Sequence, residues 1–214
     1  MHYSLINTLD ISGSLLSLVS TFYYIRAKNC AWPIALFSIG INIFLYLLIG
    51  LYADTGKEII YFISSLYGWY WWAYGGGDKK TVPIRNITAK HATILFTAAA
   101  LSFCMLSQCL IHFTHSKVPY WDALTTTLSF TAQWLVCRKI ITTWLMWFIV
   151  DGLYTGLYFY KGIPVHAVTF GIYMVVAIFA HFHWKKLMRS QPETQSLDTK
   201  NRSYKSDSAV PDSG

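Results

Sequence analysis

Asp151 is the residue of this chain that packing alone explains least well. It sits in Trp144–Tyr160, WLMWFIVDGLYTGLYFY, as one carboxylate in an apolar stretch that reads as a membrane-spanning helix. At 1.5 Å per residue it lies roughly 12 Å from either end, near the centre of a ~30 Å hydrocarbon layer. A carboxylate at that depth is costly unless it faces a polar cavity or a partner, so it marks a candidate functional site. Trp144, Trp147, Tyr154 and Tyr158 recur at 3–4–3–4 spacing on the same helical face. Two indoles and two phenols around a carboxylate suit a flat organic ligand, above all a cationic one. The competing reading is a neutral Asp hydrogen-bonded between helices, with the rings as packing.

Other polar side chains fall inside apolar segments. Asn42 has Ser38 one turn before it and Tyr46 one turn after, an arrangement that mirrors the Asp151 face and points to a ligand. Gln133 either joins helices through its amide or contacts a ligand's hydroxyls or carboxamide. In Tyr67-Gly68-Trp69-Tyr70-Trp71-Trp72-Ala73-Tyr74, Trp71, Trp72 and Tyr74 read as an interfacial aromatic belt. Trp69 lies about a turn deeper beside a glycine that permits close approach, and joins the candidate ligand contacts. No G-x-S-x-G, H-E-x-x-H or phosphate-cradling glycine loop occurs, so no enzyme chemistry, cofactor or metal is expected. His112 with His115, and His181 with His183, read as packing near span ends rather than metal ligands. Cys30, Cys104, Cys109 and Cys137 form no C-x-x-C and read as reduced, buried small hydrophobes.

These residues need spans to position them. Only 13% of the 214 residues are charged, 54% are hydrophobic and 17% aromatic, and the mean hydropathy is +0.38. A soluble domain carries about 25% charged residues, so the chain reads as an all-α integral membrane protein. The N-terminal stretch has no basic n-region and reads as a retained span rather than a signal peptide. Seven segments are expected, at about Leu9–Ile25, Pro33–Leu51, Ile59–Tyr74, Ala92–His112, Pro119–Cys137, Thr143–Tyr160 and Pro164–Trp184. They make a transmembrane domain over 1–189; the polar residues 190–214 read as a disordered cytoplasmic tail. With the N-terminus outside, fourteen basic residues fall in inner loops and tail (among them Arg26, Lys28, Lys79, Lys80, Arg85, Arg138 and Lys139). Only Lys57, Lys117 and Lys161 fall outside, which is a positive-inside pattern. The net charge of +7 sits at span ends, so it argues for no nucleic-acid partner.

Sliding the chain by 112 residues pairs positions 10–72 with 122–184 without a gap and gives twelve identities in sixty-three pairs. Chance gives about one in fifteen. Asp10 meets Asp122, Arg26 Arg138, Trp32 Trp144, Tyr61 Tyr173 and Trp72 Trp184. The reading is two parallel three-helix repeats, at about 9–74 and 119–184, joined by a linker helix at about 92–112, with a binding site between them.

Taken together the residues resemble the PnuC-type vitamin transporters, best known for nicotinamide riboside. The likeness runs over roughly residues 10–184 and rests on specific runs. They are Leu51-Tyr52-Ala53-Asp54, Tyr67-Gly68-Trp69-Tyr70 with Trp72, Tyr120-Trp121-Asp122-Ala123, Gln133-Trp134-Leu135, Arg138-Lys139, Trp144 and Trp147 with Asp151, and Gly156-Leu157-Tyr158 followed by Tyr160-Lys161-Gly162. Two features depart from that pattern. Ser38 stands where the family commonly has Asn, with Asn42 a turn later, and the closing G-Y-R-x-W reads Ala180-His181-Phe182-His183-Trp184. The resemblance implies a seven-helix, three-plus-one-plus-three fold related to the SWEET sugar transporters, a homotrimer embedded in lipid, and a bacterial inner-membrane location. It implies facilitated diffusion of the vitamin, made one-way by a cytoplasmic kinase and serving NAD biosynthesis. Relatives carry thiamine, riboflavin or deoxynucleosides, so thiamine is the second expectation. Outside the transporter class, a membrane-embedded enzyme would need a second acid, a His or a metal ligand near Asp151. A receptor scaffold is the remaining alternative.

Overall fold

A computed structural model describes residues 2–76, 82–114, 118–160, 162 and 164–207. Lys79, Lys80, His115, Lys117, Lys161 and the last residues of the tail lie outside the described residues. Seven helices account for nearly all of what is described: α1 (His2–Ile25), α2 (Ala31–Leu48), α3 (Tyr52–Tyr74), α4 (Ala89–Phe113), α5 (Pro119–Cys137), α6 (Thr142–Tyr160) and α7 (Pro164–Asp207). By length and composition alone, stretches of α1, α2, α4 and α7 are apolar enough to cross a membrane.

Three boundaries differ by several residues from the sequence expectation, the first being α1, which begins at His2 rather than Leu9. α3 begins at Tyr52 rather than Ile59, which brings Asp54, Lys57 and Glu58 onto the helix. An Asp in the first turn complements the exposed amides of a helix start, and the Lys57 ammonium binds Asp54 at 2.9 Å, so these charges do not end the helix. α7 runs on in backbone to Asp207, where a tail without regular structure is expected from residue 190. Extending an existing helix is cheap compared with nucleating one.

The helices close into a ring. Each of α1, α2, α3, α5, α6 and α7 packs against the next, and α7 returns to α1. α4 packs on α5 alone and buries little besides Ser107. At one end of the ring, Trp32, Trp72, Trp144 and Trp184 pack into a single aromatic layer with Val136, Cys137 and Ile141. Trp72 is fully buried there, so it is not part of an interfacial belt; Tyr74 does face outward. The Trp32 and Trp72 rings meet edge-on at 5.3 Å, and Trp144 and Trp184 meet edge-on at 5.5 Å. Trp72 Nε1 donates to the Val136 carbonyl at 3.0 Å; Trp184 Nε1 donates to those of Tyr24 and Ile25, also at 3.0 Å. Gly68 makes room for this layer, because a Cβ there would overlap the Trp32 indole.

Four helices end in one way. α1 closes with Lys28 N–H to Tyr23 O and Ala27 N–H to Tyr24 O. α2 closes with Leu51 to Tyr46 and Gly50 to Leu47, and α5 with Ile140 to Leu135 and Lys139 to Val136. Gly162 N–H bonds Phe159 O after α6. The first three are Schellman-type ends, and all four share a left-handed residue: Ala27, Gly50, Lys139 and Gly162 have φ values of 53°, 76°, 57° and 71°. The first pair and the last are each separated by the same 112 residues (27 with 139, 50 with 162).

The segment before α4 crosses beneath the layer. Val82 and Ile84 are buried, and Arg85 exchanges backbone hydrogen bonds with Lys139 and Ile141. Arg26, Lys28, Arg85, Arg138 and Lys139 therefore all gather at this end. Arg138 lies 3.9 Å over the Trp71 ring and donates to Tyr67 Oη at 2.7 Å. The Lys139 ammonium sits 4.4 Å from the Trp72 centroid. Lys139 is only 5% exposed, and burial pushes its ammonium down to about 8.

Candidate functional site

A cavity of about 340 Å³ occupies the middle of the ring, and every ring helix supplies part of its wall. α1 gives Ser17, Ser20, Thr21 and Tyr24; α2 gives Ser38 and Asn42; α3 gives Glu58, Tyr61 and Ser65. α5 gives Gln133, α6 gives Trp144, Trp147 and Asp151, and α7 gives Phe170 and Tyr173. Tyr24 and Trp144 sit at the tryptophan-layer end, so that layer is the floor.

Five expected contacts meet here: Asp151, Trp147, Asn42, Ser38 and Gln133. Asp151 is 7% exposed, and no hydrogen bond or ion pair reaches its carboxylate among the described residues. Its backbone carbonyl accepts from Thr155 Oγ1 at 2.7 Å. The interhelical hydrogen bond that would make Asp151 purely structural is thus absent from the described contacts. Gln133 joins helices and also lines the cavity. Its Nε2 donates to Ser64 and Ser65 Oγ at 3.2 Å, tying α5 to α3 at the cavity wall. The Ser38 hydroxyl is engaged by the Gly13 carbonyl at 2.8 Å. A Cβ on Gly13 would meet the Asn42 amide oxygen at 2.6 Å, so that glycine lets α1 approach α2 here.

Three expected contacts are not among the residues lining the cavity. Tyr154 stacks on Phe170 at 4.8 Å, and Tyr158 on the same ring at 5.5 Å, away from Asp151. The i+3 and i+7 positions after Asp151 are drawn to α7 because α6 and α7 pack along most of their length. Tyr46 is half-buried on α2 outside the lining. Trp69 is 40% exposed on the outer surface of α3. The α3 run carries aromatics on every face, and Gly68 receives Trp32 rather than freeing Trp69. The cysteines also depart from expectation, since Cys137 is buried while Cys30, Cys104 and Cys109 are exposed.

Sequence reasoning passed over Glu58, Tyr61, Phe170 and Tyr173. The signal was present: Glu58, Tyr61, Ser65 and Trp72 keep 3–4–7 spacing on one helical face, while Tyr61 and Tyr173 are a matched pair at the 112-residue offset. Placing the start of α3 at Ile59 hid it. Glu58 places a second carboxylate in the lining of the cavity that holds Asp151.

A ring of six helices around a buried cavity lined by rings, hydroxyls, amides and carboxylates, in a multi-pass membrane protein, is the build of a small-molecule carrier. The family model for the nicotinamide mononucleotide transporter matches residues 7–186, and the chain belongs to that family of transporters. It is similar to the nicotinamide riboside transporter PnuC of Escherichia coli (strain K12), with 20% identity over 161 residues, 64% of this chain and 67% of the relative. The nicotinamide riboside transporter PnuC of Shigella flexneri matches to the same extent. The crystal structure of the vitamin B3 transporter PnuC shares the fold, with a TM-score of 0.64 at 16% identity over 87% of this chain and 89% of that one.

Proposed function

We propose that this protein carries nicotinamide riboside across a bacterial inner membrane by facilitated diffusion, with phosphorylation by a cytoplasmic kinase trapping it inside. The observation that carries the reading is the buried Asp151 carboxylate, unpartnered among the described residues, beside Trp147 in the central cavity. No Lys or Arg stands among the residues lining that cavity. A planar ring cation supplies the missing charge and stacks on the ring faces. The named relatives, both nicotinamide riboside transporters, support the same vitamin. Thiamine, also a ring cation, is the second reading, since Ser38 departs from the Asn that the family commonly has there.

The carrier is two parallel three-helix units, α1–α3 and α5–α7, joined by α4. Three features support this, all related by 112 residues: the paired left-handed helix ends, the edge-on tryptophan pairs, and the reciprocal indole bonds from Trp72 to Val136 and from Trp184 to Tyr24. The basic end of the ring faces the cytoplasm by the positive-inside rule, which puts the N-terminus outside. The assembly is a homotrimer, measurable as a mass in detergent, and the polar tail is dispensable for transport. Uptake of labelled nicotinamide riboside into proteoliposomes, beside thiamine and an uncharged nucleoside, tests the function. Accumulation of thiamine without the riboside would replace the first reading by the second, and uptake of neither would overturn both.

A further inference from the structure

Glu58 and Asp151 line one cavity, yet they stand at different depths. Trp72 on α3 and Trp144 on α6 belong to the same floor layer, which gives a common origin. Asp151 is seven residues from Trp144, about 10 Å along its helix; Glu58 is fourteen residues from Trp72, about 21 Å. The two carboxylates are therefore separated by about 10 Å along the axis of the ring. Tyr61 and Tyr173, eleven residues from Trp72 and Trp184, come between them. Glu58 has no hydrogen bond or ion pair among the described residues, and its neighbour Lys57 is already bound to Asp54. With Asp151 itself buried and, among the described residues, unpartnered below, the cavity presents carboxylates at two depths with aromatic rings between.

We infer that Glu58 is a second substrate contact, which accepts hydrogen bonds from the hydroxyl-bearing end of a ligand whose cationic ring lies at Asp151. This rests on the proposed transport of a ribosylated ring cation. A carboxylate offers two oxygens and no donor, so it matches adjacent hydroxyls, as acidic residues do on the ribose of dinucleotides. A nucleoside about 10 Å long spans the gap with its ring on the Asp151 side of Tyr61 and Tyr173. The chemical class selected is a polyhydroxylated organic cation, and the sugar is read at Glu58.

The test separates sugar from charge. Purified protein is titrated calorimetrically with nicotinamide riboside and with 1-methylnicotinamide, which keeps the ring cation and lacks the sugar. Glu58→Gln replaces charged acceptors by a neutral one and is expected to weaken the riboside about tenfold. Binding of 1-methylnicotinamide is expected to change by less than about twofold. Glu58→Asp, which keeps the charge and withdraws it by one methylene, is expected to show the same selectivity and serves if the Gln variant does not fold. Equal weakening of both ligands would mean a general field effect, and no weakening of either would mean no contact; each overturns the inference. If the unaltered protein binds thiamine and not the riboside, the proposed function fails by itself. Glu58 is then judged on thiamine, whose hydroxyethyl and amino groups are its donors, and an unchanged thiamine affinity in Glu58→Gln would overturn the inference.

Discussion

Replacing Asp151 by Asn keeps the side chain's size, removes its charge and turns one acceptor oxygen into an amide donor. Asp151 is 7% exposed and has no neutralising partner among the described residues, so a ligand cation in the cavity is its natural counter-ion. Two unit charges 4 Å apart interact by about 4 kcal/mol at an effective dielectric constant near 20. Loss of water from both groups takes back part of that, leaving the roughly 1.5–3 kcal/mol typical of a charge-assisted contact. Asp151→Asn is therefore expected to weaken nicotinamide riboside by about ten- to a hundred-fold. The reduced, dihydronicotinamide form of the riboside has nearly the same shape and no ring charge. Its affinity is expected to change by less than about threefold. Calorimetry on detergent-purified protein reads both values, and a monodisperse elution profile shows that the variant is folded. Equal losses for charged and uncharged ligands, or unchanged binding of the cation, would refute the assignment.

The other expectations concern the frame around the cavity. Trp72→Phe keeps a ring in the layer and removes the Nε1–H bond to Val136. About 1 kcal/mol for the bond plus the lost ring volume should lower the melting temperature by several degrees. Gly68→Ala drives a methyl into the Trp32 indole, which is fully buried and has no room to retreat; a loss of about 1–3 kcal/mol should appear as a lower melting temperature or yield. Lys139 titrates near 8 in the folded protein, against about 10.4 when unfolded. Between those values the unfolded chain binds the extra proton, so stability from this group rises with pH from about 8 to 10 and is lowest below about 8. Lys139→Met should flatten that rise in melting temperature; an identical pH profile would show that the ammonium is not buried in solution.

Much of the fold was legible in the chain itself because hydropathy and helix punctuation are local properties. Pro119, with a missing N–H that costs nothing at a helix start, begins α5, and Cys137 ends it, as expected from sequence. Asp151, Trp147, Asn42, Ser38 and Gln133, all of which line the cavity, were legible as candidates because polar or ring groups within apolar spans have few other reasons to be there. The 112-residue offset was legible as identities, and it returned in the structure at residues no identity marks, Ala27 and Lys139. Which ring turns into the bundle was decided elsewhere. On α3, indoles and phenols occupy every face, so periodicity cannot choose between Trp69 and Trp72; packing against Trp32, Trp184 and the end of α5 chose Trp72. Tyr154 has the right spacing from Asp151, yet Phe170 of a neighbouring helix takes it. Glu58 looks like a loop charge until α3 is seen to start at Tyr52 and the ring closes around it. Spacing along one helix specifies a face, but only contacts with the neighbouring helices specify what that face meets.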